Sequence, residues 1–135
     1  MIFVDTGAFI ARYLERDQHH AVATTQWEFL TLDGRACYTT NFVLDEAITF
    51  LARRSNYQFA ADRADAIYHS QELKILRPDR DDELSALELF GKYADQSVSS
   101  TDCVSFAIMD KLGIQSAFTF DNHFRIAGFQ VEPEG

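Results

Sequence analysis

Cysteine is nearly absent: Cys37 and Cys103 are the only two in 135 residues, each inside an apolar segment, RACYT and TDCVSFAIM. That count and spacing exclude a disulfide framework and a C-x-x-C metal site, and fit two small buried hydrophobes in a reducing compartment. Proline is as scarce, with Pro78 at a connection and Pro133 near the C-terminus. Long apolar runs are missing too, and none approaches the roughly 20 residues that span a bilayer. The opening MIFVDTGAFIARYLERD has no basic leader and meets an acid at its fifth residue, which argues against a signal peptide. A soluble, cytoplasmic protein with no membrane contact is expected. Basic residues are the minority, 12 against 21 acidic, for a net charge of −9. Such a balance disfavours broad adhesion to nucleic acid, which Lys and Arg drive by neutralising phosphates. It leaves room for an enzyme acting on nucleic acid, because acids gathered in one metal site become attractive to phosphate once the metal binds. Walker loops, Gly-x-Gly-x-x-Gly, Gly-x-Ser-x-Gly and His-Glu-x-x-His are all absent.

What is present is a hydrophobic fraction of 47% and twelve Phe, enough for one ordinary domain with one core and too much for a disordered chain. Helical and strand patterns alternate. Residues 2–4 form a short apolar run suited to a buried strand. Helices follow over about 8–16 and 20–32, the second ended by Asp33-Gly34. A second strand covers 36–39. Asn41 is placed as N-cap of a helix reaching about residue 54, and a further helix spans about 59–69. A third strand, 73–76, is halted by Pro78 and followed by a helix over about 82–93. Ser99, Ser100 and Thr101 offer capping hydroxyls before a helix over 102–112, which Gly113 stops. Strands at 117–120 and 129–132 complete the order. This alternation predicts an α/β fold with a mainly parallel sheet covered on both faces.

In such a sheet, ligands bind just beyond the carboxyl ends of the strands. The first strand runs into Asp5-Thr6 and the fourth into Asp121-Asn122. One such aspartate commonly caps the next helix; two at matching positions weaken that explanation. On the helix from residue 41, Asn41, Asp45, Thr49 and Arg53 make the polar face. Glu46 lies off it, one turn from Phe42 and Phe50, so its carboxylate is expected to be partly withdrawn from water. The alternative is a boundary glutamate reaching out to solvent. Asp102 opens a helix that is apolar on almost every side over 103–109. An acid there also complements the helix dipole. Four carboxylates converging without a cation would repel one another and raise each other's pKa. A hard divalent ion removes the conflict, and oxygen-only ligands favour Mg²⁺ or Mn²⁺ over zinc. Metal between carboxylates and phosphate suits a phosphodiester cut.

Val4-Asp5-Thr6-Gly7-Ala8-Phe9, Thr40-Asn41-Phe42-Val43-Leu44-Asp45-Glu46, Ser99-Ser100-Thr101-Asp102-Cys103 and Thr119-Phe120-Asp121-Asn122-His123-Phe124 together resemble the PIN-domain ribonucleases. The nearest likeness is to the small VapC-type toxins of toxin–antitoxin systems, and it covers essentially the whole chain in order. The resemblance implies a three-layer α/β/α sandwich, a single PIN-like nuclease domain over 1–135, Mg²⁺- or Mn²⁺-dependent endoribonuclease activity and a homodimer. Carried over by position, Asp5, Glu46, Asp102 and Asp121 form the acidic quartet, with Thr6 and Thr101 orienting it through their hydroxyls. For toxin members the resemblance also implies an antitoxin whose C-terminal segment blocks the active-site groove.

Other readings fit less well. A phospho-acceptor receiver domain needs a lysine at the end of a late strand, which none of Lys74, Lys92 and Lys111 provides. A haloacid-dehalogenase-like phosphatase needs an aspartate where Gly7 stands. His19-His20 is expected in solvent and His123 in a surface role. Arg12 and Arg53, with Arg16, Arg54 and Arg125, are candidates for RNA phosphate contacts. A catalytically silent protein-binding module is the alternative from a different class, disfavoured by four costly acids kept together.

Overall fold

The computed structural model describes residues 1–134. Its strands are β1 (Ile2–Val4), β2 (Cys37–Thr40), β3 (Leu73–Leu76), β4 (Ser116–Phe118) and β5 (Gln130–Glu132). The helices are α1 (Thr6–Tyr13), α2 (His20–Asp33), α3 (Asn41–Arg54), α4 (Tyr57–Tyr68), α5 (Arg80–Lys92), α6 (Ser100–Leu112) and α7 (His123–Ile126). The sheet order is β3-β2-β1-β4-β5 with every pairing parallel. Side chains alternate between the faces of a strand. Ile2, Phe3 and Val4 are nonetheless all fully buried, so helices cover both faces of the central strand, as the three-layer expectation requires. Phe3, Phe9, Phe106, Phe118 and Phe124 are among the largest fully buried side chains, each stabilising by roughly 1.5–3 kcal/mol relative to exposure. Trp27 packs on Phe9 and Phe118 with ring centroids 5.5 and 5.2 Å away. Its indole N–H donates to the Ala8 carbonyl at 3.1 Å, so no polar atom of the ring is stranded. Arg35 grips Glu132 through two bonds of 2.7 and 2.9 Å, tying the entry of β2 to β5.

Several boundaries move, and capping explains most of them. Thr40, not Asn41, caps α3: its Oγ1 accepts the Val43 N–H at 3.2 Å. Asn56 does the same for Phe59 N–H, so α4 starts at Tyr57. Asp79 and Asp82 form a capping box that opens α5 at Arg80. α1 spans Thr6–Tyr13 rather than 8–16, and β4 stops at Phe118, two residues short of the expected end. The short α7 and a 3₁₀ turn at Ala94–Gln96 lie outside the pattern expected from sequence. Gly34 and Gly113 close their helices in the left-handed region, at φ 68° and 70°, as the glycine rule foresees.

Candidate active site

The chain builds from β1 outward to β2 and β3, then crosses back to lay β4 and β5 on the other side. The crevice of such a sheet lies at that reversal, between the carboxyl ends of β1 and β4. A cleft of about 500 Å³ is found there, and Asp5, Glu46, Asp102 and Asp121 all line it. Asp5 follows β1 and stands at the N-cap position of α1, yet makes no side-chain cap bond. Its Oδ2 instead accepts the Thr119 hydroxyl at 2.8 Å. The same Thr119 oxygen accepts the Asp121 N–H at 2.9 Å, so one buried hydroxyl fixes both strand-end acids. Asp121 Oδ1 accepts the His123 N–H at 2.8 Å. Asp102 sits in the first turn of α6, where its N–H donates to Ser99 Oγ at 3.1 Å, which leaves its carboxyl free of the capping task.

Burial pushes the Asp5 carboxyl up to about 6. The bonds from Thr119 and the Thr6 backbone pull it down, and Asp121 and Glu46 add repulsion. Asp102 is held well above the usual carboxylate range, first by burial and then by Asp5 and Asp121. A metal-free cleft therefore retains protons that isolated carboxyls would release. Asp102, Asp121 and His123 each offer one ligand atom, and these atoms lie within 4.8 Å of one another. Thr6 Oγ1, on the cleft wall, is buried and makes no hydrogen bond. Clustered acids with raised pKa beside an unsatisfied oxygen are a donor set that fits a hard divalent cation.

Some expectations need correction. Glu46 lines the cleft but is exposed, because Phe42 and Phe50 on either side of it are themselves more than a third exposed. The hydroxyl that orients Asp5 belongs to Thr119, not to Thr6 or Thr101. Thr101 faces a separate groove with Phe42, Leu87 and Phe90. Arg12 stacks over Trp27 at 4.5 Å and lines a different cavity, and Arg53 is exposed on α3; neither lines the acidic cleft. His123 is half-buried in the cleft, its Nδ1 3.1 Å from Asp121 Oδ1 and 3.5 Å from Asp102 Oδ2. His19, expected in solvent, lies half-buried and parallel on the Phe120 ring at 4.2 Å. Thr119→Val should destabilise the protein by about 1–3 kcal/mol, since the Asp5 carboxyl and the Asp121 N–H lose one shared partner. A urea melt against wild type measures this, and Thr119→Ser should recover most of the loss.

Residues 2–130 match the PIN domain family. The chain belongs to it. Among its PIN-domain relatives is a Mycobacterium tuberculosis protein named 23S rRNA-specific endonuclease VapC20, found in two strains. It is 37% identical over 135 residues, covering 99% of this chain and 100% of the relative. An Archaeoglobus fulgidus protein named VapC ribonuclease is 29% identical over 127 residues, covering 91% of this chain and 78% of its own. The crystal structure of M. tuberculosis VapC20, described as a Sarcin-Ricin loop cleaving toxin, superposes with a TM-score of 0.85. Identity there is 34%, over 96% of each chain. PIN-domain nucleases generally use a divalent metal, and the acidic group such a metal needs is present here. No helix among the described residues is long and apolar enough to cross a membrane.

Proposed function

We propose that this PIN domain is a metal-dependent endoribonuclease, the toxin of a toxin–antitoxin pair, with ribosomal RNA as its first candidate substrate. The observation that carries the reading is the meeting of Asp5, Glu46, Asp102 and Asp121 in one cleft at the sheet's reversal point. End-to-end likeness to a protein named for cutting 23S rRNA supports the substrate class. These four acids would hold Mg²⁺ or Mn²⁺. Such an ion supplies charge to offset the phosphate oxygens and makes a bound water a stronger acid. Thr119 keeps Asp5 fixed, and the His123 backbone N–H holds Asp121 from the other side. Hydrolysis adds water across the phosphodiester and leaves 5′-phosphate and 3′-hydroxyl ends. The test is incubation of ribosomes and purified 23S rRNA with the protein in Mg²⁺, Mn²⁺ or EDTA, with ends mapped by primer extension. Discrete cuts that need metal are expected; intact RNA in both metals would overturn the assignment.

The partners in this reading are an antitoxin that covers the cleft and a second copy of the chain. The homodimer draws support from an apolar face of Leu84, Leu87 and Phe90 on α5, which are 45%, 64% and 45% exposed, beside Phe42 of α3. Leu87→Glu combined with Phe90→Glu should yield a folded monomer by analytical ultracentrifugation. A dimer surviving both changes would place the contact elsewhere.

A further inference from the structure

We propose that Phe50 and Arg54 form a seat for one unpaired RNA base and its phosphate next to the scissile bond. This rests on the ribonuclease reading and deepens it. Glu46, Phe50 and Arg54 follow at four-residue spacing on α3. They form one stripe, each step advancing about 6 Å along the helix axis. Glu46 and Phe50 both line the acidic cleft. Phe50 is 37% exposed, so part of its ring is open to solvent. The Arg54 guanidinium lies over that ring at 4.6 Å. Arg54 is not part of the cleft wall, so it backs the ring from outside and leaves the cleft side of Phe50 open.

Single-stranded RNA is held by this combination: a π-face on which any base stacks, and a cation for the adjoining phosphate. The need for the cation is acute here. The cleft floor is acidic and the chain carries a net charge of −9, so phosphates flanking the cut meet little attraction unless arginine supplies it. Phe120, on the other wall, is already stacked by His19, which leaves Phe50 as the phenyl ring with surface to offer. A strand running along α3 would thus place a phosphate beside Glu46 and a base on Phe50. The Arg54 guanidinium, folded back over that ring, is the cation within reach of the next phosphate. Arg53, one residue away, belongs to the exposed polar face with Asp45 and Thr49.

The experiment uses Asp5→Asn, which should bind without cutting, and a short fluorescein-labelled single-stranded RNA in Mg²⁺. On that background, Phe50→Leu should weaken binding about tenfold, and Phe50→Tyr should restore it. Removing one base from the RNA, as an abasic site next to the cut, should cost the same factor, with no further loss in Phe50→Leu. Arg54→Gln should lower the slope of log affinity against log salt by about one, while Arg53→Gln leaves it unchanged. In the cutting enzyme, Phe50→Leu should raise KM and spare kcat. Unchanged affinity in a folded Phe50→Leu, an abasic penalty that persists in it, or an equal salt effect from Arg53→Gln would overturn the seat while wild-type cleavage stands. A wild type that neither binds nor cuts RNA would remove the ribonuclease reading and the seat with it.

Discussion

Asp102→Asn and Asp5→Asn should each reduce RNA cleavage by at least about a thousandfold, equivalent to ~4 kcal/mol of lost transition-state stabilisation. Both carboxyls are buried, at 5% and 4% exposure, so water does not readily take the place of the charge that each would set against a cation. Both changes keep the shape of the side chain, and in Asp5→Asn the new amide oxygen still accepts the Thr119 hydroxyl. The loss should therefore appear in the rate and in metal affinity, with the folded structure retained. Glu46→Gln should cost less, about ten- to a hundredfold, because Glu46 is exposed and the pocket can admit water in its place. Single-turnover cleavage under saturating Mn²⁺ gives the ranking. Asp102→Asn retaining full rate would sink the assignment, and Glu46→Gln proving the most damaging would move the centre of the site onto α3.

The second large effect is on stability without metal. A carboxyl whose folded pKa is raised binds more protons folded than unfolded, so stability falls as pH climbs from the unfolded value through the folded one. For Asp5 the rise from 3.8 to about 6 corresponds to a penalty of about 3 kcal/mol once the pH exceeds 6. Asp102 adds to it in the same direction. In EDTA, Asp5→Asn should thus be more stable than wild type at pH 7.5 and lose that advantage near pH 4. Asp82 and Glu132, whose pKa values are lowered, act in the opposite sense in both proteins, so the difference between variant and wild type isolates the cleft. Metal at a hundred times its Kd should restore about 2.7 kcal/mol to wild type, roughly 10 °C in Tm, and little to the variant. Melts across pH, with and without Mn²⁺, read both effects. A variant less stable than wild type in EDTA at pH 7.5 would contradict the repulsion argument.

The acids at strand ends were legible because an apolar run followed by aspartate fixes position in an open sheet with little dependence on detail. Asp102 was legible for a related reason: a Ser/Thr-rich cap and a wholly apolar helix locate its first turn in the interior. What escaped depended on tertiary neighbours. Nothing local distinguishes Thr119, which bridges Asp5 and Asp121, from Thr6, whose hydroxyl has no partner. His123 escaped because α7 has four residues, too few for any periodicity. The withdrawal of Glu46 from water hinges on buried flanking phenylalanines, and these are partly exposed. Boundary errors came from caps read one or more residues late: Thr40 rather than Asn41 caps α3, and Asp79, paired with Asp82 in a capping box, opens α5 at Arg80.

The bond from Thr119 to Asp5 joins residues 114 positions apart, and β1 is clasped between β2 and β4. Within this domain β1 must wait for β4 before its strand-end acid is fixed. The acidic cleft therefore exists only once β4 has docked beside β1, so no shorter piece of this domain can assemble it. Contacts of such long range also slow folding, so cutting competence arrives late relative to local helix formation.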